Sequence, residues 1–309
     1  AVMLENVRGL ASARFSAYRQ RVIDRLYELG YVGEWKLLHA ADFGVPQLRP
    51  RFVLVAMRPE DHAYFRFPES GSEGRVTVGE ALADLMGARG WSGAHEWAQL
   101  ASDIGPTLVG GSKKHGGADL GPTRAKQAWS RLYVDGRGVA DEAPDRGAPS
   151  ARERHPRLTV EMTARIQGWK PHDHWIFQGR KTAQYRQIGN AFPPPVAEAI
   201  GRALDAALRH EGSPRADLER TVDLHDPVYR ALAASTDPLS IDELIRAHNE
   251  GTQSAIERKI TALGHDFELE VLQGADGVVR YKLGAFKGFI GQEAHARHEF
   301  VIAKRNRVS

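Results

Sequence analysis

Ala41-Asp42-Phe43-Gly44-Val45-Pro46-Gln47-Leu48-Arg49-Pro50-Arg51-Phe52-Val53-Leu54-Val55-Ala56-Met57 is the stretch that decides the fold class. Residues 51–57 read as a strand rich in β-branched side chains. Gly44 and Pro46 mark an irregular loop before it. Arg49 and Arg51 alternate, so at strand spacing they point the same way. Two guanidiniums on one face suit a phosphate or a carboxylate; the plainer reading is two solvated arginines at a strand edge. Upstream, residues 35–38 read as another strand. Phe15, Tyr18, Val22, Leu26 and Leu29 predict a helix over 13–29, stopped at Gly30. The chain opens on Ala1-Val2-Met3-Leu4, which reads as the end of a buried strand. Glu5-Asn6-Val7 lies at its tip and Arg8-Gly9 marks a turn. A carboxylate at a strand tip sits where open α/β sheets place ligand groups, or simply ends an edge strand.

Composition bounds what such a chain can do. Its 309 residues are 42% hydrophobic, 26% charged and 8% aromatic, enough for more than one globular domain. The net charge of +3 permits a nucleic-acid partner without demanding one. There is no cysteine, which excludes disulfides, cysteine-type zinc sites and a cysteine nucleophile within this sequence. No apolar run approaches the ~20 residues of a membrane-spanning helix, and no signal-peptide pattern opens the sequence. The expectation is a soluble cytoplasmic protein with no membrane partner.

Residues 65–150 lose clear periodicity, although 76–86 suggests a short strand and a helix. Thr107-Leu108-Val109-Gly110-Gly111-Ser112-Lys113-Lys114-His115-Gly116-Gly117 combines glycines with cations. Lys113, Lys114, Arg124 and Lys126 face the single acid Asp119, so this stretch either meets phosphates or is a flexible surface loop. It lacks the spacing of a phosphate-binding P-loop. From 157 onward order returns. Thr159 is a predicted N-cap, Met162, Ile166 and Trp169 repeat at helical spacing, and Gly168 ends the pattern. Asn190 is read in a turn before Pro193-Pro194-Pro195. Val196, Ile200, Ala203, Leu204 and Leu208 then predict a helix with one apolar stripe.

Leu4-Glu5-Asn6-Val7, the 40–51 segment, Arg157-Leu158-Thr159-Val160 through Arg165-Ile166-Gln167-Gly168-Trp169, and Tyr185-Arg186-Gln187-Ile188-Gly189-Asn190-Ala191-Phe192-Pro193-Pro194-Pro195-Val196-Ala197 stand in order along the chain. Together they resemble the ENV, GVPQxRxR, RxLTxxExARIQGFP and YRQIGNAxPPPVA blocks of the DNA cytosine-5 methyltransferases. The resemblance spans roughly residues 1–205, and Thr107-Leu108 is similar to a recurrent pair in the family's target-recognition domain. The family's glycine-rich cofactor loop and Pro-Cys nucleophile are not in this sequence. The chain therefore reads as the second half of such an enzyme, either a truncated piece or one subunit of an enzyme encoded in two pieces.

What the resemblance implies is specific. The fold class is α/β: the C-terminal part of a Rossmann-like methyltransferase domain with an inserted irregular target-recognition domain. The implied parts are 1–64 for the second half of the catalytic domain, 65–150 for target recognition and 151–208 for the return that closes the cofactor site. The reaction implied is methyl transfer from S-adenosylmethionine to C5 of a cytosine flipped out of duplex DNA, in a bacterial restriction–modification setting at the nucleoid. The thiolate comes from outside this chain. Glu5 would hold N3 and the N4 amino group, in a neutral form able to donate to N3. Arg49 and Arg51 would hold the base carbonyl or a phosphate and orient Glu5. Asn190 would close the cofactor pocket; Phe192 would pack there or in the core. Thr107, Leu108, Lys113, Lys114 and Arg124 would contact DNA. The uncovered strand edges of a half domain predict self-association.

After a linker at 209–225, residues 226–309 read as a small domain and tail. Val228, Leu232 and Ala233 mark a first helix, Ser240-Ile241-Asp242-Glu243 a capping box for a second, and Asn249-Glu250-Gly251 a turn. Ile256, Ile260 and Leu263 mark a third helix. Residues 267–272 and 278–283 read as strands joined at Asp276-Gly277. Helix, helix–turn–helix and hairpin is the order of an α+β winged-helix-like domain. Glu250 and Glu257 are poor groove readers, so protein–protein use stands beside DNA contact. Three functions compete for the whole chain: an enzyme portion, inactive without its Cys-bearing half; a non-catalytic DNA-binding or regulatory module derived from such an enzyme; and a scaffold in a restriction–modification assembly. A binding module has no chemical need for Glu5.

Overall fold

A computed structural model describes residues 1–12, 15–69, 75–110, 119–173, 175–215, 226–248, 252–274 and 276–287. In chain order its elements are β1 (Val2–Val7), α1 (Ser16–Glu28), β2 (Val32–His39), β3 (Gln47–Leu48), β4 (Pro50–Met57), α2 (Pro59–His62), α3 (Val78–Gly87), α4 (Ala94–Leu100), β5 (Gly105–Pro106), α5 (Thr123–Arg131), α6 (Val160–Gln167), α7 (Lys181–Asn190) and α8 (Pro194–Leu208). Then follow α9 (Pro227–Ala234), β6 (Leu239–Ser240), α10 (Ile241–His248), α11 (Gln253–Leu263), β7 (Phe267–Gln273) and β8 (Val279–Phe286). The chain divides into two compact units, Ala1–Arg8 with Trp35–Ala216, and Gly9–Glu34 with Asp217–Ser309. No helix among the described residues is long and apolar enough to cross a membrane.

The first unit is built on β4. Every residue from Arg51 to Met57 is buried, because β4 is the middle strand of a sheet in the order β1-β4-β2. Val53, Val55 and Met57 share a core with Leu38, Val45, Val196, Ile200 and Ala207, so α8 covers one sheet face with its apolar stripe. That stripe ends at Ala207; Leu208, expected within it, is 52% exposed. β1 runs antiparallel to β4 with Glu5 opposite Val53 and Val7 opposite Arg51. It was expected to be buried, yet Met3, Leu4 and Val7 are exposed. Among the described residues β1 has one neighbour strand, so a short apolar run there occupies an edge.

The middle of the chain is more ordered than its lost periodicity suggests. α3 begins at a Thr77–Glu80 capping box, with no strand before it. Trp97, Trp129, Leu82 and Met86 are fully buried and form a second core with Leu158, Met162, Ile166 and Tyr185. α6 and α7 therefore pack with the middle of the chain, and only α8 returns to the sheet. The Thr159 hydroxyl accepts from Met162 N and caps α6, as the sequence predicts. At its other end Gly168 takes φ 101°, and a Cβ there would lie 2.6 Å from Pro195 Cδ.

Two expectations fail here. Asn190 is not in a turn: residues 181–190 are helical and Asn190 is the last residue of α7. Only Tyr185, Ile188 and Gly189 of that helix are buried, too sparse a stripe for periodicity to reveal. Nor is the first part of the 209–225 segment a free linker. His210 stacks on Tyr64 at 4.5 Å and bonds Asp61 at 2.9 Å, and Arg215 N donates to Ala63 O at 2.8 Å. These contacts pin residues 210–215 to α2 and the turn after it.

The second unit joins two distant stretches. α1, expected within the first catalytic segment, belongs here: Ala17 shares a core with Val228, Leu232, Leu244, Ile256 and Phe267. Tyr229 donates from its hydroxyl to Asp24, at 3.3 Å. The expected helices and strands of the tail are present as α9, α10, α11, β7 and β8, with a sheet in the order β6-β8-β7. Glu243 and Ser240 form the expected capping box of α10. Asn249, Glu250 and Gly251 lie outside the described residues.

Candidate functional site

Glu5 and Arg51 come together at the strand tip. They stand diagonally across β1 and β4, two residues apart in the antiparallel register, and so share a face. Arg51 Nε lies 2.6 Å from Glu5 Oε1. The Glu5 side chain stays 28% exposed, so its carboxyl is held yet reachable. Burial lowers the pKa of the Arg51 guanidinium, and the neighbouring carboxylate of Glu5 works the other way. A planar donor fixed on one carboxylate oxygen sets the direction in which the acid faces.

Arg49 is a correction. It was expected beside Arg51, facing a base carbonyl or phosphate; instead it is fully buried and faces carbonyls of its own chain. Nη1 donates to Leu108 O at 2.7 Å and to Gln47 Oε1 at 3.3 Å. Nη2 donates to Gly189 O at 2.7 Å and Ala191 O at 3.0 Å. Gly189 and Ala191 lie at the C-terminal end of α7, where carbonyls lack helical partners and the helix dipole is negative. A guanidinium answers both needs. Burial and then the neighbouring Arg51 cation lower its pKa, which is the cost of placing a charge there.

Gln47 is the residue that sequence reading missed. It is fully buried, and its side chain bonds two other segments as well as Arg49 beside it. Oε1 accepts from Leu108 N at 2.7 Å; Nε2 donates to Gln167 Oε1 at 2.9 Å and Ile166 O at 3.2 Å. Gln167 Nε2 in turn reaches Ala191 O at 2.5 Å. The available signal was an uncharged polar residue between two apolar ones in the 41–57 stretch. Such a residue, if buried, must satisfy both amide ends.

The remaining expected residues separate. Leu108 is fully buried in the second core, so its side chain meets protein and not DNA; its backbone N–H and C=O are held by Gln47 and Arg49. The Thr107 hydroxyl donates to Leu48 O. Lys113 and Lys114 lie outside the described residues. Arg124 is exposed on α5. Asn190 is exposed at the end of α7, and its Oδ1 occupies the space a Cβ on Gly110 would need, 2.2 Å away. Phe192 is half-buried against the core of the β4 sheet. Gly189 and Gly110 meet backbone to backbone: a Cβ on Gly189 would lie 2.6 Å from Gly110 N. One polar hub thus ties the 47–49 segment, residue 108, the end of α6 and the end of α7 beside the Glu5–Arg51 pair. No cluster of metal-ligating side chains occurs among the described residues.

The chain is similar to known proteins. The family model described as C-5 cytosine-specific DNA methylase matches residues 1–206. The type II methyltransferase M.NaeI of Lentzea aerocolonigenes is 57% identical over 311 residues, covering 100% of this chain and 73% of that protein. M.NgoMIV of Neisseria gonorrhoeae, another type II methyltransferase, is 48% identical over 214 residues, covering 68% of this chain and 66% of its own length. Among solved structures, the Entamoeba histolytica methyltransferase EhMeth aligns at 15% identity and a TM-score of 0.42, covering 67% of this chain and 62% of that one.

Proposed function

This chain belongs to the C-5 cytosine-specific DNA methylase family, and from that premise we propose that it is the base-holding and DNA-recognising portion of a type II DNA cytosine-5 methyltransferase. The sequence contains no cysteine, so the thiolate that adds to C6 of cytosine and the glycine-rich cofactor loop come from a portion outside it. The observation that carries the reading is the Glu5–Arg51 pair. Nothing in the stability of an edge strand calls for a carboxylate aimed by a guanidinium at its tip.

Glu5 receives the Watson–Crick edge of a cytosine flipped from duplex DNA. In its neutral form it donates to N3 and accepts from the N4 amino group, which offsets charge as C6 is attacked. Arg51 fixes the carboxyl in the required direction. Arg49 and Gln47 are positioning residues: they hold the segment that leads into β4 against the ends of α6 and α7. The donor set also fits one part of S-adenosylmethionine. Asn190 offers an exposed carboxamide beside the tight Gly189–Gly110 approach, where a larger residue at position 110 would displace it. Asn190 would hold the cofactor, with Phe192 supporting that wall from the core side. When bound, S-adenosylmethionine supplies an electrophilic methyl group.

The sheet within residues 1–64 is the second half of a Rossmann-like catalytic domain, and α8 lies in its returning part, 151–208. The segment centred on α3 to α5 is the target-recognition region, meeting duplex DNA through Arg124 and the Lys113–Lys114 stretch. The second unit carries a winged-helix-like module. The exposed Met3, Leu4 and Val7 of β1 are the surface that the Cys-bearing portion covers, and in its absence they drive self-association.

The test mixes this chain with a separately produced portion bearing the glycine loop and Pro-Cys motif, and follows methyl transfer from labelled S-adenosylmethionine to duplex DNA. Transfer that requires both pieces and falls at least 100-fold (an order-of-magnitude expectation) in Glu5→Gln supports the reading. No transfer from folded, associated pieces across a range of DNA sequences overturns it in favour of a non-catalytic DNA-binding module.

A further inference from the structure

α5 and residues 152–155 enclose a cleft of about 500 Å³ that the Glu5 site does not use. Its walls carry four cations, Lys126, Arg137, Arg152 and Arg154, and two acids, Asp135 and Glu153. The acids do not cancel the cations evenly. Asp135 is spent within the wall: Arg137 Nε donates to it at 2.8 Å and Arg157 Nε at 3.0 Å. Lys126 is paired with Asp119 at 2.7 Å and Arg152 with Glu96 at 2.9 Å. Arg154 and the adjacent Glu153 are both exposed, and neither enters an ion pair among the described residues. Polar side chains line the same cleft, with Gln127 and Ser130 on α5 and His155 opposite; Ser130 Oγ and His155 Nδ1 are 3.3 Å apart.

The α5 wall is held from behind. Trp129 is fully buried, and a Cβ on Gly105 would lie 2.4 Å from its ring. Gly105 belongs to β5, paired with β3, and Leu108 three residues on is held by Arg49 and Gln47. The cleft is thus braced against the hub beside Glu5. An open trough with more cations than acids on a fixed wall suits an extended polyanion, and Gln127 and Ser130 add hydrogen bonds to phosphate oxygens.

We propose that this cleft seats a run of phosphates of the duplex DNA substrate, with Arg154 as its principal anchor. The proposal rests on the reading of this chain as part of a DNA methyltransferase. It places backbone contact at α5 and 152–155, apart from the Lys113–Lys114 stretch.

The test is fluorescence anisotropy of target and unrelated duplexes with the full chain, with and without the Cys-bearing portion, across a salt series. Arg154→Gln is expected to weaken both duplexes equally, roughly five- to tenfold near 0.15 M salt, and to reduce the slope of log K against log salt by about 1. Arg154→Lys is expected to retain most of the slope. Arg202→Gln, on the exposed side of α8, serves as the control. An unchanged unfolding midpoint for Arg154→Gln shows that binding alone was altered. Wild-type binding that Arg154→Gln leaves untouched overturns the cleft assignment and leaves the methyltransferase reading standing. Wild-type protein that binds no duplex in either condition overturns both.

Discussion

Replacing Arg49 by Met removes the cation at the centre of the polar hub while keeping an unbranched side chain of similar reach. The consequence follows from what each acceptor has left. Ala191 O keeps Gln167 Nε2, and Gln47 Oε1 keeps Leu108 N. Leu108 O and Gly189 O each lose a 2.7 Å bond from a charged donor inside a buried site. A buried carbonyl left without its partner costs about 1–3 kcal/mol, so two cost about 2–6 kcal/mol. Release of a guanidinium from burial offsets part of this, which leaves a net loss of about 2–4 kcal/mol. For a unit of roughly 150–250 residues that lowers Tm by about 5–15 °C. Thermal unfolding followed by tryptophan fluorescence reads it directly, because Trp97 and Trp129 lie in the core attached to the hub. Arg49→Lys should recover less than half of the loss, since a compact ammonium cannot span carbonyls on two segments. A Tm for Arg49→Met within 2 °C of wild type would refute the reasoning, because it corresponds to on the order of 1 kcal/mol or less, close to the range of ordinary surface contacts.

A glycine pair gives a second prediction. Gly189→Ala forces backbone apart at Gly110 and should cost about 1–3 kcal/mol, whereas Gly201→Ala on α8, with nothing within 4 Å of the new methyl, should stabilise by about 0.5–1 kcal/mol; denaturant midpoints of the two variants should move in opposite directions. A third concerns acid. Burial opposes ionisation of Asp135, but hydrogen bonds from Arg137 and Arg157 prevail and hold its carboxyl well below the usual range. A depressed folded-state pKa stabilises above the unfolded value near ~4 and is lost as pH falls through the folded value. Asp135→Asn should therefore lower stability by a constant amount from about pH 5 to 8, with the gap to wild type closing below about pH 4. A gap that widens in acid would contradict the assignment.

Much of the architecture is set by local pattern. The apolar run at 52–57 makes a buried strand in any fold that covers it. The stripe from Val196 to Ala207 makes an amphipathic helix because 3.6-residue periodicity selects one face. The capping residues Thr159 and Ser240 act over three positions, so their roles also follow from sequence. Glu5 and Arg51 lie between these cases. Each could be marked as a candidate by its place at a strand tip, but their diagonal pairing depends on the antiparallel register of β1 on β4.

Other features belong to tertiary structure alone. The acceptors of Arg49 lie 59 and 140 residues away in the chain, and no spacing rule distinguishes its guanidinium from that of Arg51 two positions later. Backbone carbonyls also carry no sequence identity, so a cation that serves them leaves no partner residue to find. The grouping of α1 with the tail, and of α6 and α7 with the middle of the chain, has the same origin. An apolar face states that it must be buried, and only the assembled core decides against what.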